Sequence, residues 1–348
     1  MACLLSIKKT NLKMYLFSAE SIEFFRELHS PSDVPKRFAS KIMHHSNKVL
    51  HGDQQKTIFL QRLTAGLFEV FEHHVVCKAP ETEILPTPLI PSLHLHVSMD
   101  DNEVDAYVNG QQGVELKPRE VNLFYLEEIN IAVLPPGKHC FFHIAFKNET
   151  LFRLLKKKPF SGLHNKLQKK VKQVEEDMGG MINEPGQVAM DAYFMMLIHE
   201  IRQCNFNEEA SIYYRGKKCQ LMLEHFIRQI QYIREPKIEL TDQKILTLDY
   251  VKEYIKLNIN RPVNLKQLAE QFSISTSLLE KGFRQLNGIS LRSFIHMYRM
   301  EFITKLLAIK GMPHDSIARL TGFRNYAALN AAFYKYFGCD AEVFHDPC

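Results

Sequence analysis

Several features are missing from this 348-residue chain, and each absence narrows what it can be. No apolar run approaches the ~18 residues that cross a bilayer, so no membrane-spanning helix is expected. Met1 to Ile7, followed by Lys8 and Lys9, places a short apolar stretch before the basic residues. That is the reverse of a secretory signal, and a cytoplasmic location is expected. The seven cysteines (Cys3, Cys77, Cys140, Cys204, Cys219, Cys339 and Cys348) are odd in number, scattered, and never spaced C-x-x-C. This points away from a disulfide framework or a cysteine zinc cluster and towards a reducing compartment. No P-loop, GxGxxG turn or nucleophile elbow occurs, so the sequence advertises no common enzyme class, and no cofactor is expected.

What is present suits a globular protein of two or three domains. Hydrophobic residues make up 45% of the chain, enough to fill packed interiors. The net charge of +5 is mild, but it is unevenly spread. Residues 245–348 carry 13 Lys or Arg against 9 Asp or Glu, whereas the preceding 244 carry 31 against 30. A basic last third beside a neutral remainder suits a polyanionic partner, although ordinary solvated surface reads the same way.

The texture divides the chain into four. Residues 1–57 read as an extension of mixed helix and turn. From 58 to 159, short runs rich in Val, Ile, Leu, Phe and Tyr alternate with turn signals, predicting a small antiparallel barrel or sandwich. Its runs include Leu67–Cys77, Leu93–Val97, Val104–Val108, Val121–Leu126, Ile129–Leu134 and His139–Phe146, with Asn109-Gly110 as a hairpin turn. From 160 to 240 the spacing turns helical, over Leu163–Met178, Gln187–Gln203 and Lys217–Ile233. The Lys-rich stretch from Lys156 to Lys172 is expected to be a solvated helix face. The last domain, 241–348, is all helical, and the fold class is therefore α+β.

That last domain holds an internal repeat with a period of about 50 residues. Leu268-Ala269 matches Ile317-Ala318, Ser273 matches Gly322, Leu279 matches Leu329, Phe283 matches Phe333, and Gly288 matches Gly338. Each unit has helix-turn-helix spacing. A small Ala stands where two helices cross, a residue tolerant of positive φ makes the turn, and a capping residue (Ser275 or Asn325) opens the second helix. Leu279 with Phe283, and Leu329 with Phe333, sit four apart and share a buried face. Leu291–Ile309, with Phe294, Ile295, Tyr298, Phe302, Leu306 and Leu307, predicts one long amphipathic helix joining the units, ended by Gly311 and Pro313. Such a rigid joint can hold two recognition helices about 34 Å apart, one turn of B-DNA.

The stretches NLKQLAEQFSISTSLLEKGFRQLNGISLRSFI, RMEFITKLLAIKGMPHDSIARLTGF and ALNAAFYKYFG stand in the order and spacing of a known domain. From about Leu246 to Phe344 the chain resembles the DNA-binding domain of the AraC/XylS family of bacterial transcription regulators. The resemblance implies a sequence-specific regulator, an activator in many members, that binds double-stranded DNA and works with RNA polymerase. It also implies an N-terminal cupin-like antiparallel β-barrel that binds a small-molecule effector, over 58–159. Helices used for homodimerisation would follow, over 160–240.

On the first recognition helix the residues expected to face DNA are Ser275, Thr276, Ser277, Glu280, Lys281 and Arg284. Lys281 matches a position where the family usually presents a basic residue. Lys can donate to guanine and Glu can accept from cytosine, while Ser275, Thr276 and the helix start suit a phosphate. On the second helix the candidates are Arg324, Asn325, Tyr326, Asn330 and Lys335. Ala327, Ala328 and Ala331 occupy positions where the family often has polar residues, so this helix is expected mainly to position the protein. The closing motif departs as well: Gly338, Cys339, Asp340 and Ala341 precede Phe344 and His345 where the family commonly has G-x-S-P and then Y-R.

Two other readings compete. One is a degenerate member that binds protein instead of DNA. The other is a metal-binding cupin enzyme. His94-x-His96 places two imidazoles on one strand face, and His139 and His143 fall on the last strand, roughly where metal cupins carry their final ligand. Glu103 lies too far beyond His96 to complete the usual set. Polar residues lining an effector cavity account for the same histidines, so no metal and no enzyme are expected. His44-His45 and His73-His74 are adjacent pairs, which a strand would point to opposite faces.

Overall fold

The computed structural model describes residues 26–52, 54–79, 82–84, 91–99, 101, 103–108, 112–127, 130–156, 160–232 and 238–345. They form two compact units. The first gathers the described residues within 1–40, 47–63 and 69–189, and the second those within 41–46, 64–68 and 190–348.

The first unit is built on two antiparallel sheets. Its strands are β1 (Arg26–Leu28), β2 (Asn47–Gly52), β3 (Lys56–Ala65), β4 (Phe68–Cys77), β5 (Thr82–Ile84), β6 (Ser92–Ser98), β7 (Val104–Val108), β8 (Gln112–Leu116), β9 (Val121–Leu126), β10 (Ile131–Leu134), β11 (Gly137–Phe146) and β12 (Gly179–Met181). Eight run in the order β1-β2-β3-β4-β11-β6-β9-β12, and four as β5-β10-β7-β8. Alternate side chains of both sheets meet in one core, which includes Ile58, Leu60, Phe71, Val75, Val104, Leu116, Phe124, Phe141 and Ala145. Burial of that apolar face holds the sheets together. Helix α1 (Asn148–Leu155) buries Leu151, Leu154 and Leu155, and α2 (His164–Glu176) buries Leu167, Val171 and Val174. The other side of α2 exposes Lys166, Lys169 and Lys172, the solvated face expected of the Lys-rich stretch.

The sheet starts upstream of Ile58, where an extension was expected. β2 pairs with β3 from Asn47↔Arg62 to Gly52↔Thr57, and β1 pairs with β2. The sequence Asn-Lys-Val-Leu-His-Gly hides the strand, because it buries only Val49 and His51 and lacks an aromatic residue. Val108 pairs with Gln112 across the predicted turn, but Asn109 and Gly110 themselves lie outside the described residues.

The second unit is helical: α3 (Ala192–Arg202), α4 (Glu208–Tyr232), α5 (Asp242–Leu257), α6 (Leu265–Gln271), α7 (Phe283–Asn287), α8 (Leu291–Leu307), α9 (His314–Leu320) and α10 (Tyr326–Phe337). α4 begins nine residues before the expected Lys217. Gly216 reads as a break in sequence, yet it lies inside the helix. A Cβ there would stand 2.9 Å from the carbonyl oxygen of Ala65, so the site admits only glycine without rearrangement. Between Ala210 and Gln231 no residue of α4 is exposed.

A buried ion triad fixes α3 and α4 to α8. The Lys218 ammonium, fully buried on α4, lies 2.7 Å from Glu200 of α3 and bonds Glu301 of α8, which also accepts from the Tyr214 hydroxyl at 2.8 Å. Burial lowers the lysine's proton affinity, but Glu301 and Glu200 outweigh it and hold the group charged. α8 is therefore buried on more sides than one stripe predicts. Met297, Met300, Glu301, Ile303 and Thr304 are buried beside Phe294, Leu306 and Leu307, while Ile295, Tyr298 and Phe302 are only half-buried.

Candidate nucleic-acid interface

The repeat seen in sequence recurs in backbone detail. Ile274 N–H donates to Ala269 O at 3.0 Å, and Phe323 N–H donates to Ala318 O at 2.8 Å. Ala269 and Ala318 are both buried at the crossing. The turn residues take positive φ, 52° at Ser273 and 80° at Gly322. In the second unit the chain passes so close that a Cβ on residue 322 would sit 2.6 Å from Asn260 O. Gly288 and Gly338, at φ 71° and 89°, end the two recognition helices in the left-handed conformation that suits glycine.

The first recognition helix runs over 276–287. Ser275 Oγ accepts from Leu278 N–H at 3.1 Å, so its hydroxyl caps the helix. A π turn at Leu278–Gly282 leads into α7. Such turns shift the register of a helix face, and here the turn seats Gly282 against Leu240 and Leu248. Leu279 and Phe283 are fully buried. Thr276, Ser277, Glu280 and Lys281 are exposed and Arg284 is half-buried, so the expected polar face is formed. Behind the helix, a Cβ on Gly288 would stand 2.7 Å from the His225 ring of α4, whose Nε2 lies 2.7 Å from Asp191. Asp191 also caps α3 by accepting from Tyr193 and Phe194 N–H groups. The end of the recognition helix is therefore seated on α3 and α4.

The second recognition helix, α10, differs. Asn325 Oδ1 caps it by accepting from Ala328 N–H at 3.0 Å, and Arg324 is exposed. Tyr326 stacks on His314 with ring centroids 4.1 Å apart, and burial pushes its hydroxyl pKa up to about 12. Asn330 commits both ends of its amide: Nδ2 donates to Asp340 at 2.8 Å and Oδ1 accepts from Ala341 N–H at 2.8 Å. Lys335 is exposed at the wall of a cavity of about 230 Å³ that it shares with Lys217, His296 and Tyr336. The outward face of α10 is made of Ala327, Ala331 and Tyr334, the last 57% exposed. Sequence reading missed Tyr334, although its spacing from Ala327 and Ala331 places it on that face.

Residues 268–345 match a protein family described as a helix-turn-helix domain. This stretch is a helix-turn-helix domain. The match lies within the last domain of the chain. Over 92 residues it is 26% identical to the multiple antibiotic resistance protein MarA of Salmonella typhimurium and of Escherichia coli, covering 26% of this chain and 72% of MarA. Among solved structures, the chain is similar to the C-terminal domain of AraT from Geobacillus stearothermophilus, at 24% identity over 28% of this chain and 83% of that one, with a TM-score of 0.27. It is also similar to ToxT of Vibrio cholerae, at 12% identity over 82% of this chain and all of that one, with a TM-score of 0.33. These two structural overlaps are too loose to transfer a function.

The histidines of the first unit form a separate cluster. β6 and β11 pair His143 with His96 and Ala145 with His94, so all three imidazoles lie on the core side with Phe141 and Ala145. His96 Nδ1 and His143 Nδ1 are 3.3 Å apart, and the His73 ring centroid is 5.0 Å from that of His143. Burial lowers the pKa of His94 to about 3 and of His96 to about 4, so both are neutral at physiological pH. His139 Nε2 bonds the Pro135 carbonyl at 2.8 Å. The cluster offers a polar interior inside an otherwise apolar core.

Proposed function

We propose that this chain is a transcription regulator of the AraC/XylS family, that it reads a specific duplex sequence chiefly through the first recognition helix, and that the β unit senses a small effector. One observation carries the first part. The face built from Thr276, Ser277, Glu280 and Lys281 is polar, exposed and backed by two buried anchors, Leu279 and Phe283. A Lys and a Glu one residue apart suit base edges, and the hydroxyls and helix start suit phosphates. The second helix, with Arg324 and Asn325 at its start, positions the protein on the backbone. The polar imidazole cluster among the core strands supports a cupin-like sensor. An effector acts only through differential affinity for two states, and the seat of Gly288 on His225 is a route by which the helical unit can bias the reader. A homodimer, contact with RNA polymerase, a role as activator and a cytoplasmic location complete the proposal. Because α4 has no fully exposed residue between Ala210 and Gln231, dimerisation would use another surface.

The alanine face of α10 and the commitment of Asn330 favour a second reading, in which the domain docks on protein. The two separate in a selection from a random duplex pool with the full-length chain. A convergent consensus supports sequence reading. A folded protein that enriches no sequence contradicts it and leaves the protein-docking reading.

A further inference from the structure

Glu72 and His74 are two residues apart on β4 and therefore share one face, opposite to Phe71 and Val75 of the core. Cys140 lies on the neighbouring β11, on the side opposite to Phe141. The three ligand atoms all lie within 4.8 Å of one another. His74 Nε2 is 2.8 Å from Glu72 Oε1, and the Cys140 thiol points to the same oxygen at 3.8 Å. No other trio of His, Cys, Asp or Glu donors among the described residues meets that spacing. Glu72 is fully buried, and the His74 side chain is only 11% exposed. A carboxylate there is costly unless a cation faces it.

We propose that Glu72, His74 and Cys140 form a binding site for a divalent transition metal, zinc in the first instance. One imidazole, one thiolate and one carboxylate make a donor set that zinc takes readily and that calcium or magnesium does not. Tetrahedral zinc, with Zn–S about 2.3 Å and Zn–N or Zn–O about 2.0–2.1 Å, sets sulfur and oxygen about 3.6 Å apart and nitrogen and oxygen about 3.4 Å apart. The sulfur–oxygen spacing already fits. The His74–Glu72 pair must open by about half an ångström, a side-chain adjustment. Binding releases the Cys140 thiol proton to solvent. The metal supplies positive charge beside Glu72 and ties β4 to β11. Three protein donors leave a fourth position for water. Cys140 is partly exposed, which gives the ion a way in. The site is independent of the DNA-binding reading.

The test uses the full-length, reduced, metal-free chain and titrates Co(II) as the probe. One equivalent is expected to give the intense visible bands of tetrahedral cobalt and a thiolate-to-cobalt charge-transfer band, and Zn(II) should abolish both. Cys140→Ser should lose the charge-transfer band, His74→Gln should weaken binding, and His96→Gln should change neither. Alkylation of Cys140 in the wild type, followed by peptide mass spectrometry, needs no variant and should slow at least about tenfold with Zn(II). Absence of the charge-transfer band in wild type, its persistence in a folded Cys140→Ser protein, or alkylation of Cys140 indifferent to Zn(II) would each overturn the site.

Discussion

Ser273 and Gly322 do the same work in the two repeats under different constraints. Both turn the chain at positive φ, but only Gly322 has a backbone carbonyl 2.6 Å from where a Cβ would stand. Gly322→Ala is therefore expected to cost at least about 2 kcal/mol, from dihedral strain plus displacement of Asn260. Ser273→Gly should raise stability by about 0.5–1 kcal/mol, because strain at φ 52° is relieved. Denaturant melts of both variants check the pair, and equal and opposite small effects would contradict the account. The sequence made these turns legible because turn chemistry is local. It did not reveal that Asn330 closes on Asp340 and Ala341, because that pairing depends on how the chain returns after α10.

Elements were legible where their pattern was one-sided. The two helix-turn-helix units, with Leu279 and Phe283 or Leu329 and Phe333 buried, follow from spacing alone. α8 was read as a helix with one apolar stripe, whereas partners on several sides bury Glu301 and Thr304 as well. A glutamate in a helix predicts solvent; only the fold brings Lys218 and Tyr214 to it. Removing Glu301 leaves Lys218 with Glu200 and takes away the acceptor of the Tyr214 hydroxyl. Glu301→Leu should thus destabilise the second unit by about 1–3 kcal/mol in thermal or denaturant unfolding, through the buried hydrogen bonds it removes. A loss below about 1 kcal/mol would show that the triad is dispensable. The start of α4 and the strand β2 were missed for the opposite reason, since an interior glycine and a polar-looking strand imitate breaks and turns.

Across the whole molecule the two units should respond differently to acid. His94 and His96 are held neutral in the fold, at pKa values of about 3 and 4, against an ordinary 6.5. Unfolding lets them bind protons below pH 6.5, so the stability they contribute is present above that value and is lost as pH falls towards 4. Between pH 7 and 5 each contributes a loss of about 2 kcal/mol. Melting of the β unit should therefore drop over that interval, and less so in His96→Gln. A melting profile flat from pH 7 to 5 would contradict the buried cluster.

The proposed function makes the 276–287 helix the reader of sequence. Fluorescence anisotropy on an enriched duplex and a scrambled one across a salt series, comparing wild type with Lys281→Ala, tests that role. Binding is expected to be tighter to the enriched duplex and to fall steeply with salt. The variant is expected to lose about 1–3 kcal/mol of preference, with binding to scrambled DNA little changed. Equal affinity for both duplexes, unchanged by Lys281→Ala, would contradict that role.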